Sequence, residues 1–316
     1  MVDVTAAADR IRPYIAPTPL RRYPQLCELI GTDVYVKHEN FLPTGAFKVR
    51  GGVNLALQLS PDERDRGLVA ASTGNHGQSV AYAARLAGTT ATICVPENAN
   101  PLKVAAIRGL DADVIMFGRD FDEAREHCAA LADERGYRYV HSGNEPHLIA
   151  GVGTHTLEML AEQPDLDVII VPIGGGSGAA GACVAGKGMR PELQVIGVQS
   201  AQAPAAYRSW RDGAICEDTM STFAEGLATR VGFELPQAIL HEQLDDFVLV
   251  GDTAIRGAMV KLIGATGTLV ESAGAATLAA AIQLRDRLAG KRVALVCSGG
   301  NVSVQQLKEL LDTVGI

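Results

Sequence analysis

No apolar run in the chain approaches the ~20 residues that a bilayer-spanning helix requires, so a membrane partner is not expected. The longest small and apolar stretch, 273–284, reads as a buried helix. The opening residues, MVDVTAAADR, have no basic start followed by an apolar stretch, so no secretory signal is expected. Cysteine is sparse and scattered. The six, at 27, 94, 128, 183, 216 and 297, form no C-x-x-C pair, and no Cys/His cluster has zinc spacing. Most lie in apolar segments, where a free thiol behaves as a small hydrophobe. A reduced, cytoplasmic setting is the expectation. Basic tracts are missing too. Lys plus Arg number 28 against 36 Asp plus Glu, a formal net charge of −8. Such a chain is a poor partner for nucleic acid. Lysine is rare, 7 residues against 21 Arg, so chemistry that needs a primary amine has few candidate positions. There is no H-E-x-x-H pattern, no serine-hydrolase elbow, no internal repeat and no low-complexity tract.

What is present is the make-up of a large folded protein. In 316 residues, 47% are hydrophobic and 20% charged, which excludes a disordered chain. Glycine, at 34 residues, exceeds the usual share of about 7%, which suggests many tight turns or backbone-lined sites. Short Val/Ile-rich runs at 34–38, 68–72, 91–95, 113–117, 139–142, 168–173, 194–199, 246–250 and 292–297 read as strands. Several are apolar nearly throughout, as in strands buried on both faces. Helical spacing recurs between them, at 78–87, 121–135 and 253–263. The alternation predicts an α/β fold with two open, mainly parallel sheets covered by helices. A smaller lobe is expected at 43–146, and a larger one from 1–42 plus 147–316.

Four segments could carry chemistry. In Pro43-Thr44-Gly45-Ala46-Phe47-Lys48, a turn leads into a helical stretch at 46–59, which puts Lys48 in a first helical turn. The partial positive charge there disfavours an ammonium. An amine of lowered pKa can act as a base or condense with an aldehyde; otherwise Lys48 is a solvated surface residue. Ser72-Thr73-Gly74-Asn75-His76 follows a strand and opens a helix, where exposed N–H groups and hydroxyls suit a carboxylate. The plainer alternative is capping by Ser72 or Thr73. Gly174-Gly175-Gly176-Ser177-Gly178 also joins strand to helix. Its successive N–H groups suit a phosphate, although the spacing matches neither a nucleoside-triphosphate loop nor G-x-G-x-x-G, and a plain tight turn would look the same. Ser298 ends the last strand, in Ser298-Gly299-Gly300-Asn301, and could face a ring nitrogen or merely start a turn. Glu271 is a lone acid before a small-residue helix, and if buried it needs a partner.

These segments, in this order, resemble the fold-type II pyridoxal-phosphate enzymes (the tryptophan-synthase-β-like fold), and within them the threonine/serine dehydratase and serine racemase branch. The resemblance runs from Thr18-Pro19-Leu20 to Asn301. It implies pyridoxal 5'-phosphate as cofactor and an ammonia-lyase acting on L-threonine or L-serine to give a 2-oxo acid. It implies Lys48 as the Schiff-base lysine, with Phe47 stacked near the cofactor and Asn75 bonded to the phenolic oxygen. Gly174, Gly175, Gly176, Ser177 and Gly178 would hold the phosphate, and Ser298 would meet the pyridine nitrogen. Glu271 joins the cofactor-binding set. Ser72, Thr73, Gly74, Asn75 and His76 would hold the amino-acid substrate, with Ser72 and Thr73 counted among the catalytic residues. A homodimer or higher homo-oligomer is implied as well.

The sequence also departs from that branch. Thr73 stands where the racemases carry a second Ser, which lowers the expectation of racemisation. His141-Ser142-Gly143 replaces the usual histidine-proline turn, and Val152 a common glutamine. The metal-binding Asp-Gly pair reads Glu225-Gly226, so a divalent or monovalent cation at Glu225 is a weaker expectation. The chain ends soon after Ser298, so the regulatory domain of biosynthetic threonine dehydratases is not expected. The rival readings are a serine racemase, a hydroxyaspartate ammonia-lyase with Arg125 as a partner for the extra carboxylate, and a non-catalytic cofactor-binding regulator. In the bland reading, Arg125 sits on a solvated helix face.

Overall fold

The computed structural model describes residues 2–315. Ten strands run in chain order: β1 (Leu20–Arg22), β2 (Asp33–His38), β3 (Leu68–Ala71), β4 (Ala91–Val95), β5 (Asp113–Met116), β6 (Arg138–Tyr139), β7 (Val168–Pro172), β8 (Gln194–Ser200), β9 (Asp246–Val250) and β10 (Arg292–Cys297). They form a six-stranded sheet, β1-β2-β10-β7-β8-β9, and a four-stranded one, β5-β4-β3-β6. All pairings are parallel except β1 with β2. Helices connect the parallel strands, as crossovers require. Among the described residues, no helix is long and apolar enough to cross a membrane.

The chain divides into two compact units, one of Met1–Ala16 and Lys48–Val152, the other of Pro17–Phe47 and Gly153–Ile316. This corrects the expected lobes of 43–146 and 1–42 plus 147–316. The N-terminal helix Val4–Ile11 belongs with the smaller sheet, because Arg10 Nη1 donates to Asn54 Oδ1 at 2.6 Å on the helix Lys48–Ala56. Segment 43–47 belongs with the larger unit, where Ala46 bridges to Gly299 and Phe47 N–H donates to the Ser298 carbonyl at 2.9 Å.

In the larger unit, β7 is apolar on both faces. Val168 and Ile170 pack with Val293, Leu295 and the small-residue helix Ser272–Gln283. Ile169 and Val171 point the other way, with Ala294, Val296 and residues of the helix Ser177–Met189. That two-sided burial explains the unbroken hydrophobic run that marked the strand in the sequence. Strand order then fixes where a ligand can bind. The chain proceeds from β7 outward to β8 and β9, whereas β10 lies on the other side of β7. Loops leaving the carboxyl ends of β7 and β10 therefore diverge at a topological switch point, where open α/β sheets bind ligands. The smaller sheet has the same arrangement, with β4 and β5 on one side of β3 and β6 on the other.

The expected strand at 139–142 is shorter in the structure. β6 covers Arg138–Tyr139, and after Val140 N–H reaches the Val69 carbonyl the chain turns away. The turn is held by His141, whose Nδ1 accepts from Gly143 N–H at 3.1 Å and Asn144 N–H at 2.9 Å. Four of the six cysteines, Cys94, Cys128, Cys183 and Cys297, are buried.

Ile170 is fully buried at the centre of the larger sheet. Ile170→Ala should destabilise the protein by about 2–5 kcal/mol through lost burial and the cavity left behind. Val304→Ala, on a residue that is 86% exposed, should stay within ~0.5 kcal/mol. The midpoints of chemical denaturation check both.

Candidate active site

The first constellation lies in the smaller unit. Its organising element is the helix Lys48–Ala56, which begins at Lys48 rather than at 46, because Ala46 and Phe47 are committed to residues 298–299. This helix packs closely on the helix Asn75–Ala87. A Cβ on Gly52 would lie 2.3 Å from Ser79 Oγ and 2.7 Å from the Ser79 carbonyl, so only glycine allows the approach. Ser79 Oγ donates to the Lys48 carbonyl at 2.7 Å and so fixes the start of the helix. Lys48 Nζ donates to the Ser142 carbonyl at 3.0 Å. Burial pushes the amine down from its ordinary 10.5 to about 8. The cause is desolvation rather than the helix end invoked from the sequence.

The loop leaving β3 stands beside this amine. Ser72 N–H is held by the Cys94 carbonyl at 3.1 Å, and Ser72 Oγ accepts from Gly74 N–H at 3.1 Å. Gly74 is the N-cap of the next helix, and no side chain caps it. Ser72 and Thr73 therefore do not play the capping role that was the plainer alternative. Thr73, Gly74 and Asn75 are half-buried, while Ser72 and His76 are buried. His76 Nε2–H donates to the Val140 carbonyl at 2.9 Å, and burial, with the Lys48 charge, pushes its pKa down to about 3. The ring is neutral, and its buried Nδ1 has no hydrogen-bond partner among the described residues. Burial and the charges of Lys48 and Arg125 also lower the pKa of His141. Two carbonyls of the 140–142 turn thus orient His76 and Lys48. The sequence did not single out Val140, and Ser142 was noted only as part of an altered turn. A main-chain acceptor leaves no residue signature, and the sole signal was the switch-point position beside β3.

The second constellation lies in the larger unit. β7 ends at Pro172, Ile173 and Gly174-Gly175-Gly176 follow, and the helix Ser177–Met189 then begins with no side-chain cap. A Cβ on Gly174 would come 2.3 Å from the Gly226 carbonyl oxygen, and one on Gly175 2.4 Å from Phe233. Gly176 has φ +89°, where a side chain is strained, and a Cβ on Gly178 would touch Phe47 at 3.0 Å. The glycines are thus required by close approach, and they leave main-chain N–H groups lining a turn at a helix N-terminus, which suits a phosphate. Phe47 is fixed beside Gly178 by its bond to the Ser298 carbonyl, and the clasp continues as Gly300 N–H to the Gly45 carbonyl at 2.9 Å and Asn301 Nδ2 to the Thr44 carbonyl at 2.8 Å. Ser298 is buried at the end of β10. Glu271 N–H donates to the Gly299 carbonyl at 3.0 Å, and a Cβ on Gly299 would lie 2.5 Å from Glu271 Oε1. The structure therefore brings Phe47, Gly178, Ser298 and Glu271 into one neighbourhood. A primary amine of lowered pKa and a glycine-lined phosphate cradle fit pyridoxal phosphate.

Glu225 is different. It is exposed, and its Oε1 accepts from Gln306 Nε2 at 3.3 Å. Among the described residues, no group of three or more His, Cys, Asp or Glu side chains could hold a metal ion.

Residues 11–299 match the family model described as "Pyridoxal-phosphate dependent enzyme". The chain is 39% identical over 311 residues to an L-threonine ammonia-lyase of Thermotoga maritima, covering 98% of this chain and 77% of that one. It is 35% identical to an L-threo-3-hydroxyaspartate ammonia-lyase of Saccharomyces cerevisiae, covering 98% and 95% of the two. The crystal structure of serine racemase from Dictyostelium discoideum superposes with a TM-score of 0.90 at 33% identity, covering 96% of this chain and 98% of that one. With a glycine cradle, a lysine of depressed pKa and likeness along nearly its whole length, the chain belongs to the pyridoxal-phosphate dependent enzymes.

Proposed function

We propose that the protein eliminates water from a β-hydroxy amino acid, L-threonine or L-serine, with pyridoxal 5'-phosphate as cofactor, and that the released enamine takes up a water and loses ammonia to leave a 2-oxo acid. The observation that carries this reading is Lys48, a half-buried amine oriented by the Ser142 carbonyl, with its pKa lowered to about 8 by burial. Lys48 would hold the cofactor through that amine. Gly174, Gly175, Gly176, Ser177 and Gly178 would hold the phosphate through main-chain N–H groups. Phe47 would stack near the ring, Asn75 would bond the phenolic oxygen, and Ser298 would meet the ring nitrogen with Glu271 behind it. When bound, the cofactor supplies an electron sink next to the substrate amine.

The remaining steps belong to the chain's own groups. Ser72, Thr73, Gly74, Asn75 and His76 receive the substrate carboxylate with hydroxyl and main-chain donors at an uncapped helix N-terminus. Lys48 Nζ, once free, takes the α-proton as general base, and its pKa, lowered to about 8, makes the neutral form far more accessible than in an ordinary lysine. Neutral His76, held by the Val140 carbonyl, adds no competing positive charge beside Lys48. Ser298 offers a neutral hydroxyl that does not oblige the ring nitrogen to carry a proton. This suits prompt loss of the β-hydroxyl over long-lived carbanion chemistry, and so elimination over racemisation.

A second reading concerns a substrate with another carboxylate. Arg125 is exposed on the helix Phe121–Arg135, and its charge is felt at both Tyr139 and His141. A guanidinium there could pair with the distal carboxylate of a 3-hydroxyaspartate.

Lys48→Ala should lower ammonia release from L-threonine by at least about a thousandfold and abolish the cofactor's protein-bound visible absorbance, by comparison with other catalytic-group deletions. Turnover retained with that absorbance would remove Lys48 from the mechanism. A general base that must be neutral gives a rate that rises with pH, so kcat should climb to a plateau with an apparent pKa near 8. A flat profile from mildly acidic to mildly basic pH would contradict the assignment. Arg125→Ala should depress ammonia release from threo-3-hydroxyaspartate at least tenfold more than from L-threonine, and equal losses would discard the second reading. Following serine chirality against pyruvate separates racemisation from elimination.

A further inference from the structure

Asp252 is the first residue of the helix Asp252–Thr266, and its carboxylate gathers three donors from two separate pieces of the larger unit. Oδ1 accepts from Ser200 Oγ at 2.8 Å, at the end of β8, and from Thr222 Oγ1 at 2.7 Å. Oδ2 accepts from Phe223 N–H at 3.1 Å. Asp252 N–H in turn donates to Gln202 Oε1 at 3.0 Å, and Thr222 Oγ1 accepts from Ala224 N–H at 3.0 Å. The Arg256 guanidinium, one turn along the same helix, lies 3.7 Å over the Phe223 ring. One half-buried carboxylate thus pins residues 222–224. A negative charge at a helix N-terminus is itself favourable.

The pinned segment runs straight into the glycine turn. Residues Glu225–Leu227 form a single 3-10 turn, and the Gly226 carbonyl stands where a Cβ on Gly174 would lie, 2.3 Å away. Gln199 Nε2 donates to Thr229 Oγ1 at 3.3 Å, and Thr229 Oγ1 donates to the Gly174 carbonyl at 3.5 Å. The back of the phosphate cradle is therefore the 224–229 segment, and that segment is anchored through Asp252.

We infer that Asp252 is a positioning residue for the cofactor phosphate: its carboxylate, through Thr222 and Phe223, sets the 224–229 backbone that fixes Gly174 and the N–H groups after it. This rests on the reading of 174–178 as the phosphate site. Asp252 does not touch the cofactor in this scheme. Its effect is on how well the main-chain donors of the turn are aimed.

The test uses apoprotein reloaded with pyridoxal phosphate and, separately, with pyridoxal, which has the aldehyde and ring but no phosphate. Asp252→Asn keeps the size but replaces one of the two acceptor oxygens by an NH2, so the donors of Ser200, Thr222 and Phe223 cannot all be met as before. Thr222→Val removes one of the bonded hydroxyls and serves if the first variant folds poorly. Each should raise the dissociation constant for pyridoxal phosphate about tenfold, equivalent to ~1.4 kcal/mol, and leave that for pyridoxal within twofold. The double variant should be no worse than the weaker single one. Equal losses for both ligands, or a lowered apoprotein melting temperature with unchanged pyridoxal phosphate affinity, would overturn the inference and leave Asp252 a purely structural residue. Gly175→Ala is the control. It should weaken pyridoxal phosphate in either case, and wild-type affinity there would overturn the phosphate assignment and with it the role of Asp252.

Discussion

Residues 44–47 and 298–301 are laced together by main-chain hydrogen bonds, with Ala46 bridged to Gly299, Phe47 bonded to Ser298 and Gly300 bonded to Gly45. Much of the rest depends on that lacing. It takes two residues away from the helix that the sequence pattern would have begun at 46, so the first helical residue is Lys48. It seats the Phe47 ring against Gly178. It also lends the exit of β10, and hence Ser298, to the same neighbourhood. Backbone pairing of this kind is insensitive to side-chain identity, which lets the surrounding residues be chosen for chemistry.

The second controlling influence is desolvation. Lys48, His76 and His141 are all shifted towards their neutral forms, and burial is the first cause in each case. Neighbouring positive charge adds to this at the two histidines. Taking a cation out of water costs free energy, and a group that cannot recover that cost through an opposite charge gives up its proton. The main-chain carbonyls of Val140 and Ser142 orient His76 and Lys48 without adding a formal charge. The same residues packed against a carboxylate would stay protonated and make poor bases.

Much of the architecture was legible in the residues, for identifiable reasons. Strands such as β7 and β10 are buried on both faces, so their sequences are apolar nearly throughout. The glycine cradle was visible because close approach removes every side chain at once. β1 was not legible, because three residues, Leu-Arg-Arg, carry no periodicity and the strand exists through its pairing with β2. The end of β6 was misplaced because His141 diverts its own backbone, a local hydrogen bond that no hydrophobic pattern encodes. The N-terminal helix was assigned to the wrong unit because the Arg10 to Asn54 contact joins residues far apart in sequence. The features that escaped the sequence reading were carbonyl acceptors and polar side chains acting at a distance, such as Ser79 and Thr229, whose residue types are common everywhere.

The turn after β7 is built from amide hydrogens, and those do not titrate in any range where the protein stays folded. The surroundings of Lys48 are the opposite, with the titratable rings of His76 and His141 close enough to feel its charge. Acid or alkali should therefore reach proton transfer well before it reaches anion retention. Proton activity is felt in the one place, while the other, made of main-chain amides, does not respond to it.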